Sequence, residues 1–334
     1  MARTSLPLTP IDLDLESKLE STVSLKEQLS ETIGGWVNEG IRNVFFVGAG
    51  ASIMNSYAAH YLLYRTLDIP VFQVQSDELN HGRPAALGKG SLVIVASYTG
   101  RTKETVAAAK FARESGAYVL AVGEAHSPLA EVGMLSIEGI VDVAELLSAY
   151  VLCEALGVDT IDYETVYATF REMPKSFPTT VEEMEPHVHD IAVALQDEPI
   201  IFVLGSGPNY GWAYGLAMCY LQEMQWMQAI SFNSGEFFQG AFEMVTEDTA
   251  VLNILGEDPS RPLAERAQRF LDKFTRKGHT IDVKDFSLPG IVPEMRGMVS
   301  PLILSRVVKR VAQHLESVRG HNWDQRRYMG RIEY

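Results

Sequence analysis

The sequence predicts an α/β protein of two tandem, doubly wound parallel-sheet domains, flavodoxin-like or Rossmann-like, with flanking helices. Short β-branched and aromatic runs alternate with helical stretches, a pattern typical of parallel sheets. The alternation stops in a charged helical region at 140–197 and then starts again. The two halves also resemble each other, since "VFFVGAGASIMNSYAAHYLL" is echoed by "IIFVLGSGPNYGWAYGLAMCYL".

The first half contains four apolar runs that are too short for helices and therefore predict buried strands. They are "RNVFFVGAGAS", "IPVFQVQ", "GSLVIVASYTGRT" and "AYVLAVG". Amphipathic stretches predict helices over 14–40, over about 52–67 and in "KETVAAAKFARESG", which a glycine closes. "SDELNHGRP" predicts a loop or a short helix.

The second half repeats this order. Strands are predicted in "EPIIFVLGSGPNYG", "TAVLNILGED" and "HTIDVKD", and helices over 211–228, 262–277 and 299–318. Between the halves, "EMPKSFP" at 172–178 predicts a break in the helical region. The predicted organisation is an N-terminal helical segment at 1–34, a first domain at 35–155, a connector at 156–197, a second domain at 198–318, and a tail at 319–334 that covers the active site.

Composition narrows the possible partners. The 334 residues are 46% hydrophobic and 21% charged, which is ordinary for a soluble globular protein, and the net charge is −15. Such a charge repels nucleic acid and anionic membranes, so we expect neither as a partner. Two cysteines in apolar surroundings, no signal peptide and no long apolar run predict a cytoplasmic protein.

The loop "SYTGRTKET" at 97–105 is the most informative stretch. Ser97, Thr99 and Thr102 supply three hydroxyls, Gly100 permits a tight turn, and the next helix presents free N–H groups. Together with Arg101 they predict a site for a phosphate or a similar oxyanion. The alternative is an ordinary helix start with Thr102 as N-cap. No GxGxxG or GxxxxGK[ST] motif follows a strand, which argues against dinucleotides and nucleoside triphosphates.

Glu223 lies in the apolar helix "AMCYLQEMQWM". A buried carboxylate has a raised pKa, which suits proton transfer, whereas the alternative is a residue on a solvated helix face. There is no HExxH, CxxC or close His/Asp group. We therefore expect neither a metal nor a cofactor.

These motifs together resemble a known family. "ASYTGRTKET" after a hydrophobic strand is similar to the phosphosugar loop of the sugar isomerase (SIS) domain family, many members of which carry two such domains. "QEMQWM", "NSGEFFQGAFE" and the tail "HNWDQRRYMGRIEY" resemble fructosamine-6-phosphate deglycases. A related segment occurs in the isomerase half of glutamine–fructose-6-phosphate amidotransferase. The resemblance spans roughly residues 30–334.

The resemblance implies roles for matching residues. Ser97, Thr99 and Thr102 would hold the anionic group at C6 of an open-chain sugar, and Glu223 would move a proton between C1 and C2. The implied contacts in the turns and in a neighbouring loop are Gly50, Ala51, Ser52, Ser206, Gly207 and Glu78, the last with an equally open structural role. A homodimer is also implied, with sites at or near the subunit boundary.

One position departs from the family pattern. Sixteen residues after Glu223 the family has a histidine, and this chain has Gln239, which cannot transfer a proton. No histidine occurs between 190 and 278. His321 in the tail is the substitute acid–base that we favour. Glu236 either contacts the substrate or hydrogen-bonds the "GEFFQG" turn.

The sequence thus predicts an aldose–ketose isomerase for a hexose with a C6 phosphate or sulfonate, such as sulfoquinovose converted to sulfofructose. Gln239 and the cation at Arg101 favour this reaction. The alternative is a fructosamine-6-phosphate deglycase that releases an amine or amino acid. A second alternative is a non-catalytic sugar-phosphate sensor.

Overall fold

The computed structural model describes residues 5–333 and divides into two compact units. The first unit is Asp14–Pro174, and the second combines Met1–Leu13 with Lys175–Tyr334. Each contains one parallel sheet with flanking helices, which confirms the predicted fold class. The narrower domain limits drawn from the sequence remain predictions.

The first unit is built around a five-stranded sheet. Its elements are α1 (Leu15–Val23), α2 (Lys26–Glu39), β1 (Asn43–Gly48), α3 (Ala51–Asn55), α4 (Tyr57–Thr66), β2 (Val71–Gln75), α5 (Ser76–Gly82), β3 (Ser91–Ala96), α6 (Lys103–Glu114), β4 (Tyr118–Val122), α7 (Pro128–Val132), β5 (Leu135–Ile137) and α8 (Val141–Ala155). The strand order is β2-β1-β3-β4-β5, and all pairs are parallel. Every residue of β1 and β3 is buried, as expected for strands covered on both faces.

The second unit has a four-stranded sheet. Its elements are the end of α9 (Tyr163–Leu195), β6 (Ile201–Gly205), α10 (Tyr210–Gly215), a π-helix (Leu216–Met224), β7 (Ala229–Asn233), 3₁₀ turns at Glu236–Gln239 and Ala241–Met244, β8 (Ala250–Leu255), α11 (Arg261–Phe274), β9 (Gly278–Asp282) and α12 (Arg296–Arg319). The strand order is β7-β6-β8-β9, again all parallel.

The two faces of the second sheet carry different elements. A Cβ on Gly205 would lie 3.0 Å from the Cβ of Ala213, so α10 packs on the face of β6 to which Gly205 turns. Side chains alternate along a strand, and Phe202 and Leu204 therefore point to the other face. There they pack with Phe237 of the first 3₁₀ turn and with α11. The π-helix continues α10 without a break and, like α10, contacts α12.

The predicted break at 172–178 is wrong. α9 continues through Pro174 and Pro178 for 33 residues. Met173, Phe177 and Val181 recur at helical spacing and are buried. Packing of this apolar stripe outweighs the backbone hydrogen bonds that the prolines remove.

Other features also differ from the prediction. Strands β5 and β7 were not predicted, because each is short and its run lacks a clear apolar pattern. The expected regular helix over 211–228 is an α-helix that widens into a π-helix and ends at Met224.

Within residues 5–333, no helix combines the length and apolarity needed to cross a membrane.

Both cysteines are buried and unpaired, as predicted. Burial raises the pKa of the Cys153 thiol and of the Cys219 thiol to about 12, and for Cys219 the nearby Glu223 adds to this effect. Both therefore remain neutral and unreactive thiols.

Gly100→Ala should destabilise the first unit more than Gly157→Ala. Both glycines have left-handed backbone, with φ of 62° and 75°, which costs other residues roughly 1–2 kcal/mol. At Gly100 a Cβ would also lie 2.0 Å from Ser127 Oγ, whereas at Gly157 it would meet no atom within 4 Å. Denaturant unfolding should therefore show an extra loss of about 1–3 kcal/mol for Gly100→Ala. Equal losses would contradict this packing.

Candidate active site

The loop between β3 and α6 is fixed by backbone hydrogen bonds. The Gly100 N–H donates to the Ser97 carbonyl at 2.9 Å, and the Leu129 N–H donates to the Gly100 carbonyl at 3.0 Å. The Ser97 N–H donates to Val122 at the end of β4. The left-handed Gly100 lets the chain approach Ser127 closely. The loop is thus held in one shape before any ligand arrives.

Thr102 occupies the N-cap position of α6, but its side chain does not cap the helix. Its Oγ1 instead shares a 2.9 Å hydrogen bond with Ser97 Oγ. Thr102 therefore does not have the ordinary capping role, and the first-turn N–H groups of α6 do not donate to its side chain. Thr99 and Arg101 are exposed beside them. Hydroxyls, helix N–H groups and a guanidinium in one turn form a suitable anion site.

The other sequence-predicted residues of the first unit follow neighbouring strands at the same sheet edge. The loop at 97–105 is called the anion loop below. β1 pairs with β3, so the turn of Gly50, Ala51 and Ser52 opens beside this loop. α5, which carries the exposed Glu78, is tied to α6 by the buried Ser76–Thr105 hydroxyl pair at 2.9 Å. All eight residues predicted for this unit therefore lie on adjacent turns.

The matching turn of the second unit is occupied by its own hydrogen bonds. Ser206 Oγ donates to the Ser260 carbonyl at 3.2 Å and accepts from Ser260 Oγ at 3.1 Å. Ser260 Oγ also contacts Asp258 at 2.6 Å. Gly207 is left-handed, and a Cβ there would lie 2.3 Å from Ser260 Oγ. The polar groups of this turn therefore bond one another. The turn at Ser206 and the corresponding turn at Gly50 in the first unit are not chemically equivalent.

Glu223 lies at the end of the π-helix and is partly buried. Its carboxylate forms a 2.9 Å ion pair with Arg326 of the tail, and the two side chains are 24% and 19% exposed. Burial raises the pKa of Glu223, while the charge and hydrogen bond of Arg326 lower it, and the raised pKa prevails. π-helices often occur at functional sites. A carboxylate with opposed influences of this kind is suited to taking and returning a proton.

His321 lies on the same side of the second unit as Glu223. Its ring packs edge-on against Trp226, with centroids 4.5 Å apart. Nε2 is buried without a hydrogen-bond partner among residues 5–333. Burial and the charge of Arg319 lower the pKa of His321, and they outweigh the hydrogen bond that the ring donates to the Met224 backbone carbonyl, which raises that pKa. His321 is therefore neutral near pH 7, with one ring nitrogen unused.

Gln239 and Glu236 lie elsewhere. Both are exposed in the 3₁₀ turn that packs on the α11 face, whereas Glu223 belongs to the α10 face. The sheet of the second unit therefore separates Gln239 from the Glu223 of the same chain. Asn233 Oδ1 holds the "GEFFQG" turn by accepting from the Gly235 N–H at 2.8 Å.

Sequence reasoning missed two residues next to Glu223. They are Arg326 and Trp226, and neither is singled out by the sequence patterns. Trp226 has φ of 53°, which is unusual for a large side chain, and the Arg327 guanidinium lies 4.1 Å from its ring centroid. The sequence offers one signal for this contact, which is the tryptophan three residues after Glu223.

Comparison with known proteins agrees with the fold. A family model described as the SIS domain matches residues 40–154. Fructosamine deglycase FrlB of Bacillus subtilis (strain 168) is 31% identical over 337 residues, covering 94% of this chain and 99% of that protein. Fructoselysine 6-phosphate deglycase of Escherichia coli (strain K12) is 25% identical over 330 residues, covering 96% and 94%.

A solved structure of a candidate phosphosugar isomerase from Bacillus subtilis superimposes with a TM-score of 0.89 at 29% identity, covering 94% of this chain and 99% of that one. The chain therefore belongs to the SIS domain family, with fructosamine deglycases among its close relatives, as the sequence resemblance predicts.

Proposed function

We propose that the protein is a deglycase that converts a fructosamine 6-phosphate into an aldose 6-phosphate and a free amine or amino acid. The observation that carries this proposal is the 31% identity to a fructosamine deglycase along nearly the full length of both chains. This similarity favours the reaction that the sequence analysis placed second over the isomerase that it placed first.

The anion loop is proposed to bind the C6 phosphate. Ser97 and Thr102 would turn their shared hydrogen bond toward phosphate oxygens, and the uncapped first-turn N–H groups of α6 would donate as well. Arg101 would neutralise charge at the exposed side. Local N–H groups and hydroxyls thus attract an anion against the overall charge of −15.

Glu223 is proposed as the proton shuttle. In the open-chain ketoamine, whose amine is protonated, Glu223 would take a proton from C1 while the ammonium group gives its proton to the C2 oxygen, and a neutral enaminol results. Glu223 would then return the first proton to C2, giving an iminium at C1 that keeps the positive charge. Water then adds to C1, and the amine leaves as the aldehyde forms, so the sum is hydrolysis of the ketoamine. Partial burial brings the pKa of Glu223 closer to neutral, which favours both transfers.

Within one chain the sheet of the second unit separates Gln239 from Glu223, so the proposed proton shuttle does not need a proton donor at position 239 of the same chain. The substrate amine can carry its own proton when it leaves. The neutral His321, whose Nε2 has no partner among the described residues, is proposed to accept the anomeric hydroxyl proton when the sugar ring opens.

An aldose–ketose isomerase is the second candidate. It is favoured by Gln239 in the position of the family histidine and by the cation at Arg101, which would also suit a sulfonate, as in sulfoquinovose. The same carboxylate would move the proton between C1 and C2 of a cis-enediol, with no amine released.

We also propose a cytoplasmic homodimer. The two unpaired, buried cysteines fit a reducing compartment. In such a dimer, the exposed turn that carries Gln239 in one subunit would contribute to the active site of the other subunit.

Glu223→Gln should abolish amine release from fructoselysine 6-phosphate, with a loss of at least about 100-fold in kcat, because glutamine cannot accept the C1 proton. Binding should change little, since the phosphate contacts lie elsewhere. The assay measures free amine and aldose 6-phosphate, with the exposed Glu243→Gln as control. Full activity of Glu223→Gln would contradict the assignment, and conversion of a ketose 6-phosphate without amine release would favour the isomerase.

Ser97→Ala and Thr102→Val should each weaken binding of the sugar phosphate about tenfold, because a hydrogen bond to a charged group contributes roughly 1.5–3 kcal/mol. Calorimetric titration with an aldose 6-phosphate measures this. Ser115→Ala, at the opposite end of α6, is the control. The double variant should lose less than the sum, because the two hydroxyls bond each other. Unchanged affinity in all variants would refute the loop as the anion site.

A further inference from the structure

The C-terminal residues 319–327, called the tail segment below, are attached to residues 223–226. Several contacts between side chains or between a side chain and the backbone join the two stretches. They include the Arg326–Glu223 ion pair at 2.9 Å, the His321 ring on Trp226 at 4.5 Å, the Arg327 guanidinium over Trp226 at 4.1 Å, Gln225 Nε2 to the His321 carbonyl at 3.0 Å, and Arg319 to the Gln225 carbonyl at 2.6 Å. Such a set fixes the tail segment at the end of the π-helix.

The Arg326 guanidinium is itself anchored. Its Nη1 donates to the carbonyls of Trp323 and Gln325, and its Nη2 faces the Glu223 carboxylate. A guanidinium can serve several acceptors in one plane, which an ammonium cannot do in the same geometry. Arg326 therefore links the fold of the tail segment to the orientation of one carboxylate.

The charge balance around Glu223 depends on this contact. Burial raises the pKa of Glu223, and Arg326 is the influence that lowers it. On the same helix, Cys219 is a neutral thiol. In the tail segment, His321 is neutral and Arg327 lies over Trp226. α12 contributes two charged groups nearby, and both are engaged by other partners. Arg319 donates to the Gln225 side chain. Glu316 accepts hydrogen bonds from the Trp323 N–H and the Thr9 hydroxyl.

We propose that Arg326 is a positioning residue that keeps the Glu223 carboxylate charged and aimed for proton abstraction, an inference that rests on the proposed function. Proton abstraction needs the charged carboxylate, and partial burial disfavours that form. The tail segment supplies the compensating cation, so its docking determines the pH range over which the base is active.

The direction of the effect follows from the contacts. Without Arg326, burial acts unopposed and the pKa of Glu223 rises further. At a given acidic pH, a smaller fraction of the base is charged, so the acidic limb of kcat/KM moves to higher pH. At high pH the carboxylate is charged in either protein, and most of the activity returns.

The test is the pH profile of kcat/KM for amine release from fructoselysine 6-phosphate. Arg326→Gln should shift the acidic limb upward by about one pH unit, so that activity on that limb falls about tenfold while the plateau changes little. Arg326→Lys should shift it less, because it keeps the charge and loses the fixed geometry. Arg331→Gln, which removes an exposed tail cation, should leave the limb unchanged.

A uniform loss of activity at every pH, without movement of the limb, would show a merely structural role and overturn the proposal. The proposed function has a separate readout, because it fails if Glu223→Gln remains active. If wild-type protein releases no amine, ¹³C NMR titration of the Glu223 carboxyl, assigned with Glu223→Gln, decides between the outcomes. A higher midpoint in Arg326→Gln supports the proposal, and an unchanged midpoint refutes it.

Discussion

All strands within each sheet run in the same direction, and the arrangement of functional residues depends on this constraint. Parallel strands must be joined by crossovers, so every strand-to-helix turn of a unit opens at one edge. In the first unit, this brings the Gly50 turn, the anion loop and α5 together from distant parts of the sequence. It also frees the N-terminus of α6, because Thr102 pairs with Ser97 and not with the helix. The anion binding proposed there requires only hydroxyls and backbone N–H groups already held in place.

The second unit uses the same architecture for a different purpose. Its echoing turn at Ser206 is filled by Ser260 and Asp258, so this turn supports the fold. The proposed proton shuttle lies instead at the far end of the crossover helix, where the π-helix presents Glu223. A half-buried carboxylate there would be neutral over much of the acidic range, and the Arg326 contact opposes that tendency. In the proposed function, one duplicated fold thus carries an anion site in one copy and a proton-transfer group in the other.

Much of the fold and part of the candidate site could be predicted from the sequence. Continuous apolar runs such as "VFFV" predict the central strands, and three hydroxyls around Gly100 indicate the loop that we propose as the anion site, because both signals are local. Other features depend on contacts that local patterns do not contain. The buried stripe of α9 overrides Pro174 and Pro178, and β7 exists because it pairs with β6. The sixteen-residue spacing of Glu223 and Gln239 suggests proximity, whereas the intervening strand sends them to opposite faces. The role of Arg326 depends on where the tail docks, which periodicity cannot show.

The central claim is that this chain moves a proton from C1 to C2 of a 6-phosphorylated fructosamine and releases the amine. The most direct measurement is ¹H NMR of the reaction with fructoselysine 6-phosphate in deuterated water. The account predicts free lysine in equal amount to aldose 6-phosphate, with deuterium at C2 of the sugar wherever the shuttled proton exchanges, and no reaction in Glu223→Gln. Exchange at C1 with no free lysine, or lysine release that persists in Glu223→Gln, would contradict it.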